Sequence, residues 1–168
     1  MALAVKTETP KHEEGRTLVF NSPLETGLRA VIILTACYPR ALGLDQLVAL
    51  DHFIVHTEDV GGPPSLHPPE EARAAELLVR RDVVRAGLSL MGLKGLTTQH
   101  ATETGFSFRA GDDAGNFVDL LSTPYSRRLV ECAEWLAANV VTLDEAQFDD
   151  LISRRLETVL LLSSEVGF

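Results

Sequence analysis

The chain has 168 residues, 45% of them hydrophobic and 23% charged, with 15 basic against 24 acidic side chains and a net charge of −9. That length suits one domain, or one small domain with a helical extension, built on a single core. The acidic balance argues against nonspecific nucleic-acid binding, which needs a basic surface to neutralise phosphates, although it leaves room for a local basic patch.

Residues 1–17 are polar and mixed in charge, with Pro10 and Gly15, and read as a flexible tail or a partner-ordered arm. The start, Met1 to Lys6, is too short and too soon charged for a signal segment. Apolar runs such as those at 31–34 and 159–162 fall well short of the ~20 residues a membrane helix needs. A cytoplasmic protein is expected, with Cys37 and Cys132 as buried free thiols rather than a disulfide.

Leu18-Val19-Phe20 is a short apolar piece suited to a first strand that pairs with a later hairpin. Ser22 and Pro23 then start a helix as N-cap and first helical residue, with Glu25 in the first turn. Leu28, Val31, Ile32 and Thr35 share a face while Ile33, Leu34 and Ala36 cover the others, so this helix is buried on more than one side. It runs to Tyr38, and Pro39 ends it.

Gly43 opens a break, and Asp45 stands where it can cap a second helix over residues 44–56. Leu47, Leu50 and Ile54 form its apolar stripe. Asp51 falls on the same side and must lie at the edge or be paired. Residues 56–69, with Gly61-Gly62-Pro63-Pro64-Ser65-Leu66-His67-Pro68-Pro69, are too rich in Pro and Gly for helix or central strand. A loop of that length inside a compact domain usually has a job.

A third helix spans residues 71–91. Leu77, Val84, Leu88 and Met91 form one apolar face, and Val79, Val83, Ala86 and Leu90 a second, roughly opposite one. Where a DNA-reading helix presents Arg, Lys, Asn or Gln to base edges, this second face presents aliphatics. Such a face marks a protein interface or a further layer of the fold. After the break at residues 92–95, residues 96–100 and 105–110 form a hairpin turned by Ala101-Thr102-Glu103-Thr104. Phe106, Phe108 and Ala110 alternate inward, Ser107 and Arg109 outward, and the tip carries Glu103 with no Lys or Arg.

Asp112 or Asp113 caps a short helix over residues 114–121. Thr123-Pro124 starts the next, with the stripe Leu129, Cys132, Ala133, Leu136 and Val140 flanked by Trp135. Thr142-Leu143-Asp144-Glu145 has the S/T-x-x-E form of a capping box and opens a last helix to about Ser164. Its end, Val159-Leu160-Leu161-Leu162, is apolar all round and should dock on the domain or on another chain.

The expected architecture is mainly α with a small β-hairpin: a winged helix-turn-helix core over residues 18–121 and a helical extension over 122–168. Catalytic content is close to nil. GxxxxGK[ST], GxSxG and GxGxxG are all absent, and Gly61-Gly62 precedes prolines rather than a helix. His52 and His56 stand four apart, with Glu58, Asp59 and His67 near, but the residues between them do not make HExxH, so a metal enzyme is a minor alternative. The doublets Arg80-Arg81, Arg127-Arg128 and Arg154-Arg155 read as solvated or ion-paired before they read as phosphate contacts.

Several strings resemble a known family: residues 18–29 (LVFNSPLETGLR), 50–57 (LDHFIVHT), 61–68 (GGPPSLHP), 76–81 (ELLVRR) and 105–108 (GFSF). Together, across about residues 18–140, they are similar to the type-two middle-component proteins of bacterial ABC-three-component defence systems, of which the Lamassu anti-phage systems are the best-known setting. The resemblance implies a non-enzymatic adaptor between an SMC/Rad50-like ATPase and an effector, often a nuclease. It brings no cofactor and no catalytic residue to transfer. On this reading the partner surface is expected at Pro63, Leu66 and His67 in the loop, at Val79, Val83 and Leu90 on the third helix, and at Leu160 and Leu161 near the end. The alternative is a winged-helix DNA-binding regulator with Arg80, Arg81, Arg85 and Lys94 on phosphates. DNA contact through the assembled complex is compatible with either reading.

Overall fold

The fold is given by a computed structural model that describes residues 22–68 and 74–154. The chain runs through α1 (Pro23–Ala36), β1 (Leu42–Gly43), α2 (Leu44–Phe53), a 3-10 turn (Thr57–Val60), α3 (Ala74–Leu93), β2 (Thr97–Thr102), β3 (Gly105–Ala110), α4 (Ala114–Asp119) and α5 (Pro124–Asn139). Residues 145–154 are helical and form α6. The described residues are mainly helical, with one small antiparallel sheet in the order β1-β3-β2. No helix among them is long and apolar enough to cross a membrane.

Helix α1 is the hub. It begins as its sequence dictates: the Ser22 hydroxyl accepts from the Glu25 N–H at 3.3 Å, and Pro23 stands at the first helical position. Ala30, Val31, Ile32, Ile33 and Leu34 are all buried, so every side of the helix is covered. It packs on α3 and α5, with α4, β3 and α2 closing around it. It stops at Ala36, two residues before the expected end, because a residue that precedes proline is pushed out of helical conformation. Tyr38 is left exposed.

The crossing of α1 and α3 is a contact of two glycines. A Cβ on Gly87 would sit 2.6 Å from the Gly27 N and 2.7 Å from the Pro23 O; one on Gly27 would sit 2.8 Å from the Gly87 O. The helices therefore touch backbone to backbone. The inward face of α3 continues through Val84, Leu88 and Met91, all buried.

Helix α2 ends at Phe53 rather than His56. The chain folds back there, and the Val55 carbonyl accepts from both the Leu66 and His67 N–H groups, at 3.0 and 3.1 Å. Its start is closed by Gln46, whose Oε1 accepts from the Gly43 N–H at 3.0 Å, while Asp45 points to solvent. The third strand of the sheet comes from Leu42-Gly43, which pairs with Phe108 and Ser107. The strand expected at residues 18–20 lies outside the described residues.

The hairpin is longer than expected, with the turn confined to Glu103-Thr104 and Gly105 at φ +143. Phe108 and Ala110 are buried as the alternation requires, but Phe106, on the same face, is 58% exposed because the tip extends past the helical layer. Asp113 occupies the cap position of α4 without a side-chain bond, and that helix closes at Asp119. On α5, Thr123 caps as expected and Leu129, Cys132, Ala133, Leu136 and Val140 are buried. The last capping box is shifted by two residues. Asp144 and Gln147 exchange bonds at 2.8 and 3.3 Å, while the Thr142 hydroxyl donates back to the Ala138 carbonyl.

Candidate interaction surface

Three helices are joined by one carboxylate. Asp51 Oδ1 accepts from Arg29 Nε at 2.6 Å, and Oδ2 accepts from Arg29 Nη2 at 3.1 Å and from Arg80 Nη1 at 2.9 Å. The side chains of Arg29, Asp51 and Arg80 are 5%, 3% and 15% exposed. Burial alone would lower the Arg29 pKa, but the Asp51 carboxylate against it reverses this and holds the guanidinium above its ordinary value. The fork is a bidentate match of the kind arginine makes and lysine does not. Asp51 thus ties α1, α2 and α3 together.

This junction takes Arg80 inward. Arg81 pairs with Asp45, and Arg85 stands 3.5 Å from Asp82, on the same helix. Lys94 is exposed beyond the end of α3. Three of the four cations expected on phosphates therefore already face a carboxylate, which flattens the positive potential of this side.

Along the outer side of α3, Val79 is 65% exposed and Ala86 is exposed, while Val83 and Leu90 are half-buried and Leu90 rests on the core. The Pro/Gly loop is packed. The Thr57 hydroxyl donates to the Pro63 carbonyl at 2.7 Å, Glu58 and Ser65 exchange two bonds, and Arg128 of α5 donates to the Pro64 carbonyl at 3.3 Å. A Cβ on Gly62 would strike the Trp135 ring at 2.9 Å, so the loop lies flat on α5. Leu66 packs against the core, His67 Nε2 lies 2.9 Å from the Tyr125 hydroxyl, and Pro63 is half-buried. Leu160 and Leu161 lie outside the described residues.

The family model of ABC-three component (ABC-3C) system Middle Component 2 matches residues 19–161. The chain belongs to this family. No curated protein and no solved structure matches it. The match spans every described element of the middle component, from α1 to α6.

Beside the loop, the middle component stacks a string of rings: His52 on His56 at 4.6 Å, His56 edge-on to His67 at 6.0 Å, and His67 on Tyr125 at 6.1 Å. Burial, with His56 and Arg80 near, pulls the His52 imidazole down to about 4, against the opposing pull of Asp59 at 3.1 Å. A neutral imidazole is the form a metal would take, but among the described residues no three His, Cys, Asp or Glu side chains are grouped to hold one. The thiols Cys37 and Cys132 are buried and free; burial raises both, Cys37 to about 11, which disfavours the reactive thiolate.

Sequence reasoning passed over Arg29, Tyr125 and the glycine pair. Arg29 left a signal: an arginine inside a helix that is apolar all round needs a buried carboxylate, and Asp51 stood inside the apolar stripe of the next helix. Tyr125 left none, since its partner His67 is 58 residues away.

Proposed function

We propose that this middle component is a non-enzymatic adaptor in the cytoplasm, bridging an SMC/Rad50-like ATPase and an effector subunit, often a nuclease, in an anti-phage complex of the Lamassu type. The observation behind this reading is the family match over residues 19–161. Two features support it. The element order from α1 to β3 and the sheet order β1-β3-β2 suit a winged helix, a fold used for protein contacts as well as for DNA. The outer side of α3 offers Val79 and Ala86 beside arginines already matched by carboxylates, which favours a protein partner over a phosphate backbone.

Co-expression with the products of the neighbouring genes tests the reading. The expected outcome is co-purification with both an ATPase and an effector, weakened by Val79→Asp. A chain that purifies alone in the presence of both, or that binds DNA in a salt-dependent gel shift without them, would replace the adaptor with a DNA-binding regulator.

A further inference from the structure

Helix α3 carries a seam along its outer side. Val79, Val83, Ala86, Leu90 and Leu93 follow one another at spacings of four, three, four and three. At 100° per residue they fall within an arc of about 80°, turned away from Val84, Leu88 and Met91, which are buried in the core. Val79 is 65% and Leu93 86% exposed, Ala86 is exposed, and Val83 and Leu90 are half-buried. The seam runs to the last residue of the helix, Leu93, over about 21 Å.

The spacing selects the occupant. Apolar residues alternating three and four apart average about 3.5 residues, the period at which one helix keeps contact with another that crosses it at about 20°. An extended strand does not fit. Its side chains on one face recur every ~6.6 Å, whereas the seam advances by ~6 and ~4.5 Å in turn, so a strand in step at Val79 is out of step well before Leu93. A phosphate backbone does not fit either, because every side chain of the seam is aliphatic. Ala86, at the middle, leaves a hole that a large aliphatic side chain of a facing helix fills. The rim asks little of charge, since Arg85 and Asp82 stand 3.5 Å apart and face each other. Two heptads are too short for a free-standing coiled coil, but α3 is already held on α1 by the glycine crossing, so one further helix can dock on a rigid platform.

We propose that this seam receives a single amphipathic helix of another subunit, laid nearly along α3 with its own aliphatic residues three and four apart. The proposal rests on the adaptor reading and adds to it the form of the partner.

The complex formed by co-expression with the neighbouring ATPase and effector genes supplies the test. A photo-reactive phenylalanine analogue is placed singly at Val79, Ala86 and Leu93, all exposed, so each variant should keep the wild-type circular dichroism. The three positions are one heptad apart, so their cross-links should fall on one segment of one partner subunit, at steps of about seven residues in a constant chain direction. Leu93→Asp should weaken the complex roughly tenfold or worse, because its carboxylate would be covered without a partner. Arg85→Ala, off the seam, should stay within about twofold of wild type. A complex that forms normally but cross-links to scattered segments, to this chain or a second copy of it, or not at all, overturns the helix and leaves the adaptor standing. So does Leu93→Asp that binds like wild type, or Arg85→Ala that binds as weakly as Leu93→Asp. A chain that purifies alone in the presence of both subunits removes the adaptor reading and this proposal with it.

Discussion

The Arg29–Asp51–Arg80 junction and the β2 edge are both polar, and they treat polarity in opposite ways. At the junction every oxygen of Asp51 is matched by a guanidinium N–H and shielded from water. At the edge, the outward backbone groups of Gln99 and Ala101 have no strand to meet among the described residues and belong to exposed residues. A matched polar group in the interior fixes which helix sits on which, whereas an unmatched one at the surface leaves a place for something else to bind. Stability and recognition therefore separate in space, and substitutions in the two regions should give different phenotypes.

The sharpest break in that contrast is Asp51→Ala. It removes the buried carboxylate that Arg29 and Arg80 share, and removal of one partner from a buried pair costs about 3–5 kcal/mol. Denaturant unfolding should show a loss of that size. A loss below about 1 kcal/mol, the range of exposed pairs, would mean the junction is open to water and the contrast is false.

Next comes acid. The His52 imidazole sits at about 4 in the fold against 6.5 when free, so the folded state resists its protonation. Above pH 6.5 His52 is neutral in both states and contributes no pH dependence. As pH falls from 6.5 toward 4 the unfolded chain binds a proton that the folded chain does not, so stability falls, by up to roughly 3 kcal/mol, and levels off below 4. Thermal unfolding of His52→Gln should lose most of that slope. A slope as steep as in wild type would assign the acid sensitivity to other groups.

Residues near one another in sequence made much of this fold legible. Ser22-Pro23 and Thr123-Pro124 mark their helices because a cap bonds within three residues. The buried stripe of α5 followed from spacing alone. What escaped was set at long range or by too few residues. β1 is two residues long and shows no alternation. The fold of the Pro/Gly loop onto α5 depends on Arg128 and Trp135, more than 60 residues on. The cap at Thr142 was misplaced because that hydroxyl serves the preceding helix. For the candidate surface, the strings that carried the family resemblance include Gly27, Arg29, Asp51, Arg80 and Gly62, now seen at the helix crossing, the charge junction and the loop contact. Those residues hold the scaffold, and the place of β2 at the end of the strand order among the described residues showed only once that order was known.

The glycine crossing extends the interior side of the comparison to shape. Gly87→Ala adds one methyl group where the neighbouring atoms are backbone and cannot rotate away. Helices α1 and α3 must separate, at about 1–3 kcal/mol. Gly115→Ala, in open space on α4, should be neutral or slightly stabilising by helix propensity. Equal losses at the two positions would show that propensity and not contact governs Gly87.

The smallest expected effect on folding falls on the hairpin, where two phenylalanines of β3 sit on one face, two residues apart. Phe108 is 7% exposed and belongs to the core, so Phe108→Ala should cost about 3–5 kcal/mol. Phe106 is 58% exposed, so Phe106→Ser should change the unfolding free energy by no more than about 0.5 kcal/mol. A variant that unfolds as wild type places the edge of the core between residues 106 and 108. If Phe106→Ser instead unfolds the hairpin, Phe106 is part of the core and the core reaches nearer the tip.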